Sequence, residues 1–175
     1  MIARLQLHVI LHGAIVLMIG LLCGLPFGAV AARAGDDAAR AWRVAHAGGA
    51  ALGVMLIAIA AVLPRLRLTD LVASLLAWSL IVSAYSFTIG VVLAAITGAR
   101  GLRAGGSAAD VVVFLAYLIG ALATLLAVGL TIAGAAAALR SSMARQGLLF
   151  VQVESGLNSV SFTAVSPVFW PRFFS

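Results

Sequence analysis

Four long apolar runs make up most of the chain, and short polar segments separate them. Each run is long enough for an α-helix to cross a bilayer, which takes about 17 to 25 residues. The pattern therefore predicts an all-α fold, an integral membrane four-helix transmembrane bundle within residues 1–140, with spans at about 7–32, 46–63, 71–96 and 110–139. Residues 141–175 scatter Ser, Gly, Asn and Pro among aromatic residues, so we expect a loosely ordered C-terminal tail there.

Composition supports a membrane protein, because 64% of the residues are hydrophobic and only 9% are charged. So few polar groups cannot cover a water-soluble domain of 175 residues. The net charge is +6, but the basic residues stand singly in the connections, which favours anchors at a lipid bilayer over a nucleic-acid partner. All 11 basic residues are arginine, a bias typical of GC-rich bacteria, so we predict a multi-pass protein of the bacterial inner membrane.

The segment from Arg33 to Ala45 carries two aspartates and several arginines, with Trp42 near its end. Mixed charge and an interfacial aromatic residue are typical of a loop at the membrane surface. We expect this segment to be exposed to water, with the second helix starting at His46.

The most informative residue is His46, because an imidazole at the rim of a hydrocarbon layer needs a partner. Gly49 and Gly53 follow at i+3 and i+7 and clear side chains from the same helical face. This pattern is compatible with a flat macrocycle, and the sharper hypothesis is a haem with His46 as its iron ligand and the two glycines beside it. The alternative is that the glycines only let two helices approach, while His46 bonds to a backbone carbonyl.

The other polar residues in the apolar runs have fewer possible functional roles than His46. His8 and His12 share one helix face, but no third ligand is visible for a metal. Tyr85 lies near mid-membrane and needs a hydrogen-bond partner, so it faces either the bundle interior or a cavity and is a candidate substrate-binding or catalytic group. Cys23 is the only cysteine, which excludes an intrachain disulfide.

The predicted topology separates His12 from His46, because one lies near the start of the first helix and the other at the start of the second. Their separation is on the order of 20 Å at 1.5 Å per residue, so they cannot ligate one iron within a chain. A haem held by His46 would then keep an open position, which favours Lewis-acid chemistry over electron transfer.

Three stretches of the sequence resemble styrene oxide isomerases, small bacterial four-helix membrane enzymes that bind haem b and convert aryl epoxides to aldehydes. The resemblance is most specific in the second predicted helix, and it extends over about residues 8 to 140. It rests on Trp42, His46, Gly48, Gly53, Met55, Ile57 and Val62-Leu63-Pro64, then on His12-Gly13 and Leu17-Met18-Ile19, and on Phe114-Leu115-Ala116 with Tyr117-Leu118.

The resemblance implies that His46 is the axial ligand of haem b and that the chain forms a homotrimer. It also implies a small hydrophobic substrate, an epoxide that is isomerised to a carbonyl compound. Two positions depart from the family: Leu52 stands where it has an asparagine, and Val91 where it has a tyrosine that helps to hold the epoxide oxygen. Tyr85 is a possible substitute about two turns away.

Three hypotheses follow from these residues. The first is a haem-b isomerase that opens an epoxide at ferric iron. The second is a haem-binding membrane protein without that activity, which stores haem, senses or passes electrons. The third is a structural membrane subunit without haem.

Overall fold

The computed structural model of the protein describes residues 2–32, 36–99, 101 and 104–159, with side chains for these residues except Asp36 and 147–159. The helices are α1 (Ile2–Leu22), α2 (Gly24–Ala31), α3 (Asp36–Val62), α4 (Asp70–Thr97) and α5 (Ala108–Ser159), and a 3-10 turn over Leu63–Arg65 follows α3. Within this described part of the chain, four stretches are long and apolar enough to cross a membrane: Ile2–Ala31, Asp37–Arg65, Asp70–Thr97 and Ala108–Gln146. The prediction of an all-α protein with four membrane-spanning helices is confirmed, and the protein is a multi-pass membrane protein.

The first span consists of two helices because its hydrogen-bond ladder is interrupted near Pro26. Proline has no N–H, so it cannot donate to the carbonyl of Leu22 four residues earlier. The turn falls at Cys23, whose own N–H still reaches the Ile19 carbonyl at 3.0 Å. The span continues through this turn into α2.

Helix α3 begins ten residues earlier than predicted, at Asp36 instead of His46. The prediction of a loop is therefore wrong for the described residues 36–45. This segment is rich in alanine, the strongest helix former, and Ala45 is only 1% exposed. His46 thus lies well inside a helix and not at its start.

Helices α1 and α3 pack antiparallel, and glycines set their register. Cβ atoms built at Gly13, Gly20 and Gly49 would come within 3.0 Å of the facing helix. Gly13 of α1 faces Leu56 of α3, and Gly20 of α1 faces Gly49 of α3, so the two helices run in opposite directions. Small residues thus let the two backbones approach closely, as is common in membrane bundles.

Helix α5 packs antiparallel along α4. The hydroxyls of Ser83 and Thr124 lie 2.5 Å apart, and Thr124 also donates to the Gly120 carbonyl at 2.8 Å. A Cβ at Gly120 would be 3.0 Å from the ring of Phe87. The N-terminus of α5 is capped by Ser107, whose Oγ accepts from the Asp110 N–H, while the Asp110 carboxylate accepts from the Ser107 N–H, both at 3.2 Å.

The described residues up to Ala138 form one compact unit, and the described residues from Leu139 onward belong to a second. The core of the first unit is apolar, and its largest side chains that are fully buried are Leu56, Leu76, Val9, Val16 and Val113. In the second unit the chain is helical to Ser159, so the expectation of a loosely ordered tail is wrong for residues 141–159. No proline interrupts that stretch. The predicted tail from 160 to 175 lies outside the described residues.

Candidate functional site

His46 projects from α3 onto the junction of α1 and α2. Its Nδ1 lies 2.9 Å from the backbone carbonyl oxygen of Gly20. A Cβ built at Gly24 would come within 3.1 Å of Nδ1 and 3.2 Å of Cε1. Glycine at position 24 therefore makes room for the imidazole, and the Gly20 carbonyl fixes its orientation.

The hydrogen bond to Gly20 decides which nitrogen of His46 is available to a ligand. A carbonyl oxygen can only accept, so Nδ1 carries the proton, and in the neutral ring Nε2 keeps its lone pair. Histidines that bind a metal commonly donate their other ring N–H to a carbonyl in this way. The backbone contact that the packing alternative predicted is thus present, and it is also compatible with a metal ligand at Nε2.

Gly49 and Gly53 share the face of His46, as their spacing predicted, but α1 covers both. A Cβ at Gly49 would be 2.8 Å from the Gly20 Cα, and one at Gly53 would be 2.5 Å from the Leu17 nitrogen. Both glycines are buried and serve helix packing, because the first span fills the groove that was expected along them. Their assignment to a cofactor stays an untested prediction.

Tyr85 has a partner that the sequence did not reveal. Its hydroxyl lies 3.0 Å from Nδ1 of His12, and the two rings meet edge to face with centroids 5.6 Å apart. The contact joins residues 73 positions apart, so no local pattern could have indicated it. His12 precedes Gly20 by eight residues on α1, or about 12 Å along the axis. Tyr85 is therefore held at a different level of the bundle from His46.

His8 is exposed and lines a shallow surface hollow of about 190 Å³ with Arg4, Leu7 and Leu11. Within the described part of the chain, no group of three or more His, Cys, Asp or Glu side chains is arranged to hold a metal ion. A haem differs from a metal cage in this respect, because the porphyrin supplies four ligands and the protein needs to supply only one or two. The donor set around His46 fits that requirement.

A cavity of about 890 Å³ lies between the N-terminal part of α3 and the C-terminal part of α4. Its lining includes Val44, Val91, Ala95 and, from α5, Tyr117. Val91 is the position where a gapless alignment with the resembled family expects tyrosine. Leu52, the other departure, packs instead against the apolar core. The sequence did not indicate this cavity, because its walls come from three distant segments.

Comparison with known proteins supplies one match. A family model described as styrene oxide isomerase matches residues 5–136, more than two thirds of the chain. This range covers most of each of the four spans, and it includes His46 and the residues around it. None of the curated proteins matches the chain.

Proposed function

Since the chain belongs to the styrene oxide isomerase family, we propose that it is a haem-b-dependent membrane isomerase that converts an epoxide to a carbonyl compound. The observation that carries this proposal is the bond from Nδ1 of His46 to the Gly20 carbonyl, which leaves Nε2 as a ligand. When bound, a ferric haem would supply a Lewis acid that polarises the epoxide oxygen.

The residues around His46 would act as a support for that ligand. The Gly20 carbonyl holds the imidazole in one tautomer and one orientation. Gly24 provides the space for the ring, since a side chain there would meet it. These contacts support a role for His46 as the axial ligand.

The reaction proposed needs no external electrons. One C–O bond of the epoxide breaks, a hydride moves between the two ring carbons, and the remaining C–O bond becomes C=O. The apolar helices around the site would exclude water, which otherwise hydrolyses an opened epoxide. A small hydrophobic substrate would reach such a site through the lipid bilayer.

We further propose a homotrimer in the bacterial inner membrane. Gly28 and Gly129 have no atom within 4 Å of a built Cβ, so these backbone positions are open to a neighbouring helix. Large apolar side chains such as Leu7, Leu25 and Leu125 are at least two thirds exposed, which suits contact with lipid or with another subunit.

The second candidate function is a haem-binding membrane protein without isomerase activity, for storage, sensing or electron transfer. The apolar residues Leu52 and Val91 favour it, because they stand where the resembled family has polar groups for the epoxide oxygen. The haem ligand is then kept and the substrate contacts are lost.

Epoxide turnover under non-reducing conditions distinguishes the two functions. Purified full-length protein, loaded with haem, is incubated with styrene oxide, and phenylacetaldehyde is measured. We expect turnover by the wild type and by His8→Ala, whose side chain is exposed, and none by His46→Ala. Haem-loaded wild type that does not react would refute the isomerase and support the second function.

A further inference from the structure

The 890 Å³ cavity lies at the end of the bundle where α3 begins and α4 ends. The α4 part of its lining, from Val91 to Thr97, is about 9 Å long at 1.5 Å per residue. One leaflet contributes about 15 Å to a hydrocarbon core of about 30 Å. The cavity therefore extends from the membrane surface through more than half the depth of one leaflet, where lipid acyl chains lie.

The inner walls of the cavity suit a hydrocarbon chain. Val44, Val91, Ala94 and Ala95 make them apolar, and the two alanines take up little of the space between the helices. Val44 belongs to a membrane span and is 53% exposed, so the cavity is open sideways toward the bilayer. A lipid chain can enter from the side without crossing water.

The mouth of the cavity carries one positive and one negative side chain. The Arg40 guanidinium and the Asp37 carboxylate are 72% and 91% exposed and lie 3.8 Å apart. An exposed pair of this kind contributes little to stability, so both groups can turn toward a ligand. The last turn of α4 lines the same mouth, and its partial negative charge favours a cation. A headgroup with a phosphate beside an ammonium complements this arrangement, whereas Asp37 repels a headgroup that is only anionic.

We propose that this cavity binds one acyl chain of a zwitterionic phospholipid, with its phosphate at Arg40 and its ammonium at Asp37. Phosphatidylethanolamine has this chemistry, and its ammonium also donates hydrogen bonds to a carboxylate. The site is a lipid site and is independent of haem and of the isomerase, so either proposal can fail while the other holds. An anionic lipid or a second copy of the chain in the cavity is an outcome that the test distinguishes.

Two lipids with the same acyl chains test the headgroup contacts. Palmitoyl-oleoyl phosphatidylethanolamine and phosphatidylglycerol are titrated into the full-length protein in detergent, and binding is measured by native mass spectrometry. We expect the wild type to prefer phosphatidylethanolamine. Arg40→Gln should weaken binding of both lipids about fivefold, since an arginine near a lipid surface contributes about 1 kcal/mol. Asp37→Asn should weaken phosphatidylethanolamine and strengthen phosphatidylglycerol, a change of selectivity that a loss of structure would not produce.

Arg43→Gln is the matched control, because Arg43 follows Arg40 on the same helix but lies outside the lining, with its guanidinium 5.5 Å from the centroid of the Phe27 ring. It should leave both affinities unchanged. Ala95→Trp places a bulky side chain in the cavity wall and should weaken both lipids, whereas Ala121→Trp, at an exposed position outside the lining, should not.

Three results would overturn the lipid site. The first is a wild type that binds neither lipid, as expected if a second copy of the chain fills the cavity. The second is a wild type that binds phosphatidylglycerol at least as tightly as phosphatidylethanolamine, which would indicate an anionic lipid. The third is an equal loss of affinity in Arg40→Gln and Arg43→Gln, which would mean that the arginines act through general surface charge.

Discussion

Replacing Gly49 by alanine should destabilise the bundle, whereas the same change at the adjacent Gly48 should not. The added Cβ at position 49 would lie 2.8 Å from the Gly20 Cα, about 0.6 Å inside the 3.4 Å at which ordinary contact begins. The opposing atom is backbone and cannot rotate away, so α1 and α3 must move apart. Overpacking of this kind costs about 1–3 kcal/mol. At Gly48 no atom of another part of the chain lies within 4 Å of a built Cβ. Alanine is also a better helix former than glycine.

The assay is equilibrium unfolding of both variants and wild type in mixed micelles, followed by far-UV circular dichroism. Relative to wild type, we expect the folded-to-unfolded ratio of Gly49→Ala to decrease by a factor of about 5 to 150, as about 1–3 kcal/mol implies. The ratio of Gly48→Ala should stay equal to that of wild type or increase. The same separation moves the Gly20 carbonyl away from Nδ1 of His46, so Gly49→Ala should also retain less haem. Equal stability of the two variants would refute the packing that is described for α1 and α3.

Further predictions concern the site, the α4–α5 contact and the assembly. Leu52→Asn should lower stability by about 1–3 kcal/mol and should not raise epoxide turnover, because Leu52 packs against the apolar core and an amide there would be poorly hydrogen-bonded; faster turnover in kinetic assays would mean that position 52 reaches the epoxide oxygen after all. Ser83→Ala should cost about 0.6 kcal/mol in unfolding experiments, as hydrogen bonds between membrane helices do on average, and no loss would mean that its 2.5 Å contact with Thr124 does not stabilise the bundle. Light scattering in mild detergent should give the mass of a trimer, and a monomer would contradict the proposed homotrimer.

The membrane-spanning architecture follows from the sequence because apolar length alone requires it. The start of α3 does not follow from it, because charged residues are typical of loops but do not exclude a helix. Residues 36–45 carry aspartates and arginines and are nevertheless helical, since a helix can extend past the apolar part of its span when alanine is frequent. The helical segment 141–159 was missed for a related reason: polar composition says little about helix formation where proline is absent.

At the site, helical spacing predicted that His46, Gly49 and Gly53 share one face, but it could not say what covers that face. The cover is α1, and the register that brings Gly20 to His46 and Gly49 depends on packing along the whole helix. The pairing of Tyr85 with His12 and the cavity at Tyr117 depend in the same way on contacts between distant segments. The hydrophobic periodicity and the spacing of residues along the sequence carry no information on such contacts.

The most direct test of the central claim is the absorbance spectrum of the purified full-length protein, expressed with sufficient haem. We predict a Soret band in the wild type and in His8→Ala, and its loss in His46→Ala, because the Gly20 carbonyl fixes the His46 ring with Nδ1 protonated and so leaves the lone pair on Nε2. A His46→Ala protein that is folded and keeps the Soret band at the wild-type ratio of haem to protein would contradict the claim, as would a wild type that binds no haem.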